Sequence, residues 1–193
     1  MVAQKKKLTK EQKRVLIAKD ALAQLMLGKI KVKQNTGFVV FAERAIEKIK
    51  RAVLKDSSIE LKKLLPKVVD DCTVCAVGAL FLSHVRNFNN FRAKRATTTN
   101  GIVDSVCPRE YHNGYGHVKD GTNKVLKYFD IDNLILIEKA FEGWWSDYDY
   151  VNTHQYIIDY PNSRTRLKVI LKNIIRNNGT FVPEFISGTE TVY

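Results

Sequence analysis

The chain has 193 residues, 45% of them hydrophobic and 27% charged, a balance that excludes wholesale disorder. Its longest apolar run, 75–82, is too short to cross a bilayer. The formal net charge of +12 resides in residues 1–67, which hold 18 Lys/Arg against 6 Asp/Glu, whereas residues 68–193 hold 14 of each; charge segregated in this way calls for an acidic counterpart.

Thr9-Lys10-Glu11-Gln12 reads as a capping box. A helix is expected after it, with Val15, Leu16, Ala18, Leu22, Leu25 and Met26 inward and a stop at Gly28. Residues 29–33 alternate lysine with Ile30 and Val32, the pattern of a strand with a wet basic face carrying Lys29, Lys31 and Lys33. The turn Asn35-Thr36-Gly37 then predicts a hairpin, with residues 38–41 as the return strand. A helix over about 42–55 directs Ala42, Ala45, Ile46, Ile49 and Val53 inward and carries Arg44, Lys48, Lys50, Arg51 and Lys55 outside. A short helix at 58–65 is expected to end before Pro66.

Asp70-Asp71 reads as the cap of a helix over 72–88, apolar on nearly every side up to Leu82 and hence central and buried. Residues 89–121, rich in Asn, Thr and Gly, read as a long irregular loop. Helices are expected at about 123–129, 131–144 and 164–177. The last two bury Leu134, Ile137 and Phe141, and Leu167, Ile170, Leu171 and Ile174. The predicted fold class is mainly α (α+β): a single helical domain around a buried central helix, with a small basic β-hairpin near the N-terminus. Residues 1–67 form its basic helix–hairpin–helix region and 68–193 its helical core region, together one continuous domain.

Three stretches, CTVCAVGALFLS at 72–83, LILIEKAFE at 134–142 and RLKVILKNII at 166–175 running on to GTFVP at 179–183, resemble in order and wording small uncharacterised proteins of phages and bacteria. The resemblance covers residues 68–183 and implies a phage or bacterial origin. It transfers no mechanism.

Chemistry has few carriers. Cys72-x-x-Cys75 followed by Cys107 and His112 has the makings of a Cys₃His zinc set, which would staple the long loop. Alternatively, Cys72 or Cys75 at a helix N-terminus would have a lowered thiol pKa and serve as a nucleophile, with His112, His117 or His154 as base. Against both stands the frequency with which cysteine is buried as a small hydrophobe. An odd number of cysteines favours a reducing compartment. His84 reads as a core histidine, and the aromatic stretch from Trp144 and Trp145 to Tyr150 as core closure or a docking surface. No phosphate-binding glycine loop, His-Glu-x-x-His or Gly-x-Ser-x-Gly occurs.

The basic third is therefore the strongest functional signal. Lys29, Lys31, Lys33, Arg44, Lys48, Arg51 and Lys55 are expected to face an acidic partner, nucleic acid first and an acidic host or virion protein second. The expected function is that of a phage-associated, non-enzymatic binding protein needing no cofactor, able to join a larger assembly, with no membrane partner. Its expected location is host cytoplasm or virion, since the start carries no secretory signal pattern. The alternative is a Cys-centred enzyme or a zinc-stapled module around Cys72, Cys75 and Cys107.

Overall fold

Helix α1, Lys10–Met26, begins where the capping box places it. The Thr9 hydroxyl accepts the Gln12 N–H at 3.2 Å, and the Gln12 side chain accepts the Thr9 N–H at 3.0 Å. In a computed structural model of the chain, residues 7–35, 39–88, 91–93, 126–143 and 151–184 are described. The buried face of α1 is Arg14, Ile17, Ala18, Ala21 and Leu25, so the expected face is rotated and Leu16 and Met26 are exposed. Arg14 takes a core-facing position because its guanidinium finds a partner there, donating to the Tyr128 carbonyl at 3.0 Å.

The hairpin expectation is corrected. Strands β1, Lys31–Val32, and β2, Val39–Phe41, form near the expected places but do not pair with each other. Strand β3, Cys72–Val74, lies between them, parallel to β1 with Lys31 opposite Thr73 and antiparallel to β2 with Phe41 opposite Cys72. The expected helix over 72–88 thus starts late. The 72–74 stretch supplies the central strand and α4 runs over Ala76–Phe88. A three-residue apolar stretch carries no period that separates strand from helix, and the backbone groups of β1 and β2 are what it satisfies.

Helix α2, Glu43–Lys55, and helix α3, Leu61–Val68, follow β2. Pro66 lies inside α3 and does not precede its end. The helix continues past it, and the Val69 N–H reaches the Leu65 carbonyl. A 3-10 turn, Val69–Asp71, then leads into β3. Phe91 and Ala93 are buried beside the start of α3, joined to it by the Leu61 N–H to Phe91 carbonyl bond at 2.7 Å.

All ten residues from Ala76 to Val85 of α4 are buried, as expected of a helix apolar on every side. Of the helix expected at about 123–129, residues 126–129 form a turn and the remainder lies outside the described residues; α5 follows at Ile131–Glu142. Helix α6, Val151–Asp159, follows the aromatic stretch, and α7 spans Ser163–Arg176. Leu134, Ile137 and Phe141 of α5 and Leu167, Ile170, Leu171 and Ile174 of α7 are buried as their spacing predicts. Helix α5 packs on α4 directly, whereas α7 packs chiefly on α1 with α5 on its flank. Arg166 is fully buried at the start of α7. It donates to the carbonyls of Tyr160 at 2.8 Å and Pro161 at 2.9 Å and to that of Phe141. No helix among the described residues is long and apolar enough to cross a membrane.

Candidate functional site

Arg44, Lys48, Arg51 and Lys55 recur at i, i+4, i+7 and i+11, a spacing that aligns them along one line of α2. All four are exposed, while Ala45 and Ile49 are buried on another side. The helix has no side-chain cap. Instead the N–H of Ala42 donates to the Asp71 carbonyl at 2.7 Å, which ties the helix start to the turn before β3.

That turn neutralises part of the stripe. The Asp71 carboxylate is only 7% exposed. Arg44 donates to its Oδ1 and the Lys48 ammonium lies 3.7 Å from Oδ2. The hydrogen bond from Arg44 holds the Asp71 carboxyl below the usual carboxylate range against the opposing effect of desolvation, with Lys48 and Lys31 adding to the attraction. Asp70 pairs with Lys29 at 3.4 Å. Asp70 and Asp71 are therefore not helix-capping residues, as their position suggested, but counter-charges to the first half of the basic set.

The second half is differently placed. Among the described residues Arg51 and Lys55 form no ion pair, nor does Lys67 across from them on α3. These three rim a groove of about 420 Å³ between α2 and α3, floored by Ala52, Ile59, Leu64 and Val68. The one carboxylate at the groove, Asp56, is engaged with its own turn, accepting from the Ser58 N–H at 2.8 Å and the Ser58 hydroxyl at 2.6 Å. A second concavity, on the other side of α3, carries Lys29, Lys62 and Arg86. Each of these already faces a carboxylate: Asp70 at 3.4 Å, Glu60 at 3.2 Å and Asp20 at 3.4 Å.

Lys29, Lys31 and Lys33 are all exposed, on one face of the β1 segment as alternation predicts, and Ile30 is buried. The turn at 69–71 thus meets Lys29, Arg44 and Lys48, with Lys31 close enough to act on Asp71, while Arg51 and Lys55 lie further along α2. Lys67 and the apolar floor escaped the sequence reading. The signal was present in the 3.6-residue period of α2, but which helix would face it is set by the tertiary fold.

The cysteine expectations change. Cys72 lies on β3 and Cys75 just before α4, so Cys72 has no helix N-terminus beside it. Both are buried free thiols. The Cys72 thiol donates to the Val69 carbonyl at 2.9 Å, and burial, with Asp70 and Asp71 nearby, pushes it up to about 12. Cys75 sulfur accepts the Gly78 N–H at 3.3 Å, and burial raises that thiol well above its ordinary value. Both are protonated at neutral pH, the opposite of what a nucleophile requires. Cys107, His112 and His117 lie outside the described residues, as do Trp144, Trp145 and the side chain of His154. Among the described residues no group of three His, Cys, Asp or Glu side chains is placed to hold a metal ion.

His84 is a core residue, stacked on Tyr128 with ring centroids 5.1 Å apart. Burial, helped by Lys127, lowers its pKa to about 4 and keeps it neutral. Glu142, also buried, accepts the Asn35 N–H at 2.6 Å and so joins the turn after β1 to the end of α5; burial raises its carboxyl to about 7.

Compared with protein families, curated proteins and solved structures, the chain matches none.

Proposed function

We propose that the chain is a non-enzymatic binding protein that engages an acidic partner through the basic surface of its first third, in a phage or its bacterial host. The observation that carries this reading is the unpaired trio Arg51, Lys55 and Lys67. Charges already bonded to the protein's own carboxylates have little left to offer a partner, and Lys29, Arg44 and Lys48 are of that kind. The trio is not.

The sequence ranks nucleic acid ahead of an acidic protein, and the geometry favours the reverse. The trio surrounds aliphatic side chains, and none of the residues lining that groove is aromatic, so an unstacked base would find no ring there. Nucleic acid is the second reading, favoured by the exposed Lys31 and Lys33 beside the carboxylate-paired Lys29, where a phosphate backbone needs no apolar floor.

Parallel fluorescence titrations with labelled single- and double-stranded oligonucleotides and with an acidic peptide, each at two salt concentrations, test the proposal. Salt-sensitive binding of the peptide supports it. Preferential oligonucleotide binding, lost on charge reversal at Lys29, Lys31 and Lys33, replaces it with the second reading. No binding of any polyanion at low salt overturns both.

A further inference from the structure

We infer that the groove between α2 and α3 is the docking site for an amphipathic, acidic helix of a partner protein, whose apolar stripe seats on Ala52 and Ile59 while its carboxylates meet Arg51 and Lys55 on one side and Lys67 on the other. The inference rests on the reading of the basic surface as an acidic-partner site and names the class of partner.

The geometry carries it in three steps. First, the floor is aliphatic: Ala52 of α2 and Ile59 of the connection between the helices are half-buried and offer apolar surface, over the buried Leu64 and Val68 of α3. An apolar strip between two helices is what the apolar face of a third helix covers. Second, the cations stand on both margins of that strip. Arg51 and Lys55 are four residues apart on α2, and Lys67 is on α3. A helix with a single apolar stripe presents its polar flanks on both margins of that stripe, so acidic residues on each flank meet a cation. Third, these cations lack internal partners, unlike those of the concavity on the opposite side of α3. Helix α2 has 13 residues and is about 20 Å long. A partner helix of about 14 residues matches that length.

The groove's own carboxylate forms no ion pair with these cations. Asp56, the one carboxylate along the groove, is held by the Ser58 N–H and hydroxyl, which keep it ionised and turned into its own turn.

The test uses two fluorescein-labelled peptides of about 14 residues and identical composition. In one, leucines occupy a single helical face flanked by glutamates; in the other the same residues are permuted so that no apolar face exists. Wild-type protein is expected to bind the first at least ten times more tightly than the second. The substitution Ala52→Trp fills the floor without altering charge and is expected to remove that preference. The exposed pair Arg51→Glu and Lys55→Glu, which leaves the core untouched, is expected to weaken the first peptide at least tenfold and to flatten its salt dependence. Circular dichroism confirms that each variant is folded. If Ala52→Trp does not fold, the double charge reversal decides the matter. Equal binding of the two peptides, or an unchanged affinity in the double variant, overturns the groove while leaving an acidic partner elsewhere on the basic surface open to the oligonucleotide and peptide titrations. Failure of every polyanion to bind overturns the broader reading as well.

Discussion

The Lys48 ammonium lies 3.7 Å from the Asp71 carboxylate, at the midpoint of a four-cation stripe. Asp71 thereby divides the stripe into a half bonded within the protein and a half that is not. Replacing Asp71 by Asn removes the counter-charge from both Arg44 and Lys48. Both are exposed and turn to solvent without desolvation. Polyanion affinity at low salt is expected to rise, with a steeper dependence of log K on log salt. A fluorescence titration of the variant checks this; weaker binding than wild type would contradict it.

The same carboxylate gives an acid limb to stability. Its folded pKa is depressed, chiefly by Arg44, so the stabilisation is present above its unfolded value of about 4 and is lost as pH falls through the folded one. Urea midpoints for wild type and Asp71→Asn are expected to converge only as pH falls below the depressed folded value, where both side chains are neutral.

Two buried groups act in opposite senses nearer neutrality. Glu142 titrates at about 7 when folded and nearer 4.5 when unfolded. The folded state keeps a proton that the unfolded state releases, and stability falls as pH rises through that window. His84 titrates at about 4 when folded and nearer 6.5 when unfolded. The unfolded state takes up a proton that the folded state refuses, and stability falls as pH drops through that window. The two slopes oppose each other between about 4.5 and 6.5. Glu142→Gln can keep the acceptor for the Asn35 N–H while removing the ionisation. Relative to wild type it is expected to gain stability steadily from pH 5 to pH 8, by at most about 3 kcal/mol. Denaturant titrations at four pH values measure this; a difference independent of pH would contradict it.

Cys72 and Cys75 are expected to resist a thiol reagent in the native protein at pH 8 and to react at once in denaturant, since both thiols are buried and their pKa values raised. Peptide mapping after labelling separates them from Cys107. Rapid native labelling of either would contradict the placement of β3 in the core.

Gly179 follows the end of α7 with φ at +92°, and its N–H closes the helix on the Ile174 carbonyl at 2.7 Å. An added Cβ would lie 2.6 Å from the Arg14 Cβ and 3.0 Å from the Glu11 carbonyl oxygen on α1. Gly179→Ala is expected to cost about 1–3 kcal/mol from strain and from separating α1 and α7. Thermal unfolding reads this as a drop of several degrees. No change would mean that the two helices have room to part.

What the sequence made legible followed from strong periods. The capping box at Thr9, the stripes of α5 and α7, and the all-apolar α4 appear in the structure where spacing put them. So does the alternation of Lys29, Ile30, Lys31, Val32 and Lys33. The failures share a cause. Whether Cys72, Thr73 and Val74 extend a strand or a helix is decided by the backbone of β1 and β2, which the local stretch does not contain. Arg14 and Pro66 break the usual rules for buried faces and helix interiors, and in Arg14's case the remedy, the Tyr128 carbonyl, lies 114 residues away. Arg51 and Lys55 of the candidate site were visible, but not Lys67, nor which of the other cations Asp70 and Asp71 neutralise.

The most direct measurement is a pair of equilibrium titrations of the amphipathic acidic peptide, against wild-type protein and against the triple charge reversal at Arg51, Lys55 and Lys67, at about 50 and 200 mM salt. Wild type is expected to bind and to lose affinity steeply with salt, and the triple variant to bind at least tenfold more weakly with little salt dependence. Undiminished binding by the triple variant would contradict the claim that the unpaired cations between α2 and α3 hold the acidic partner.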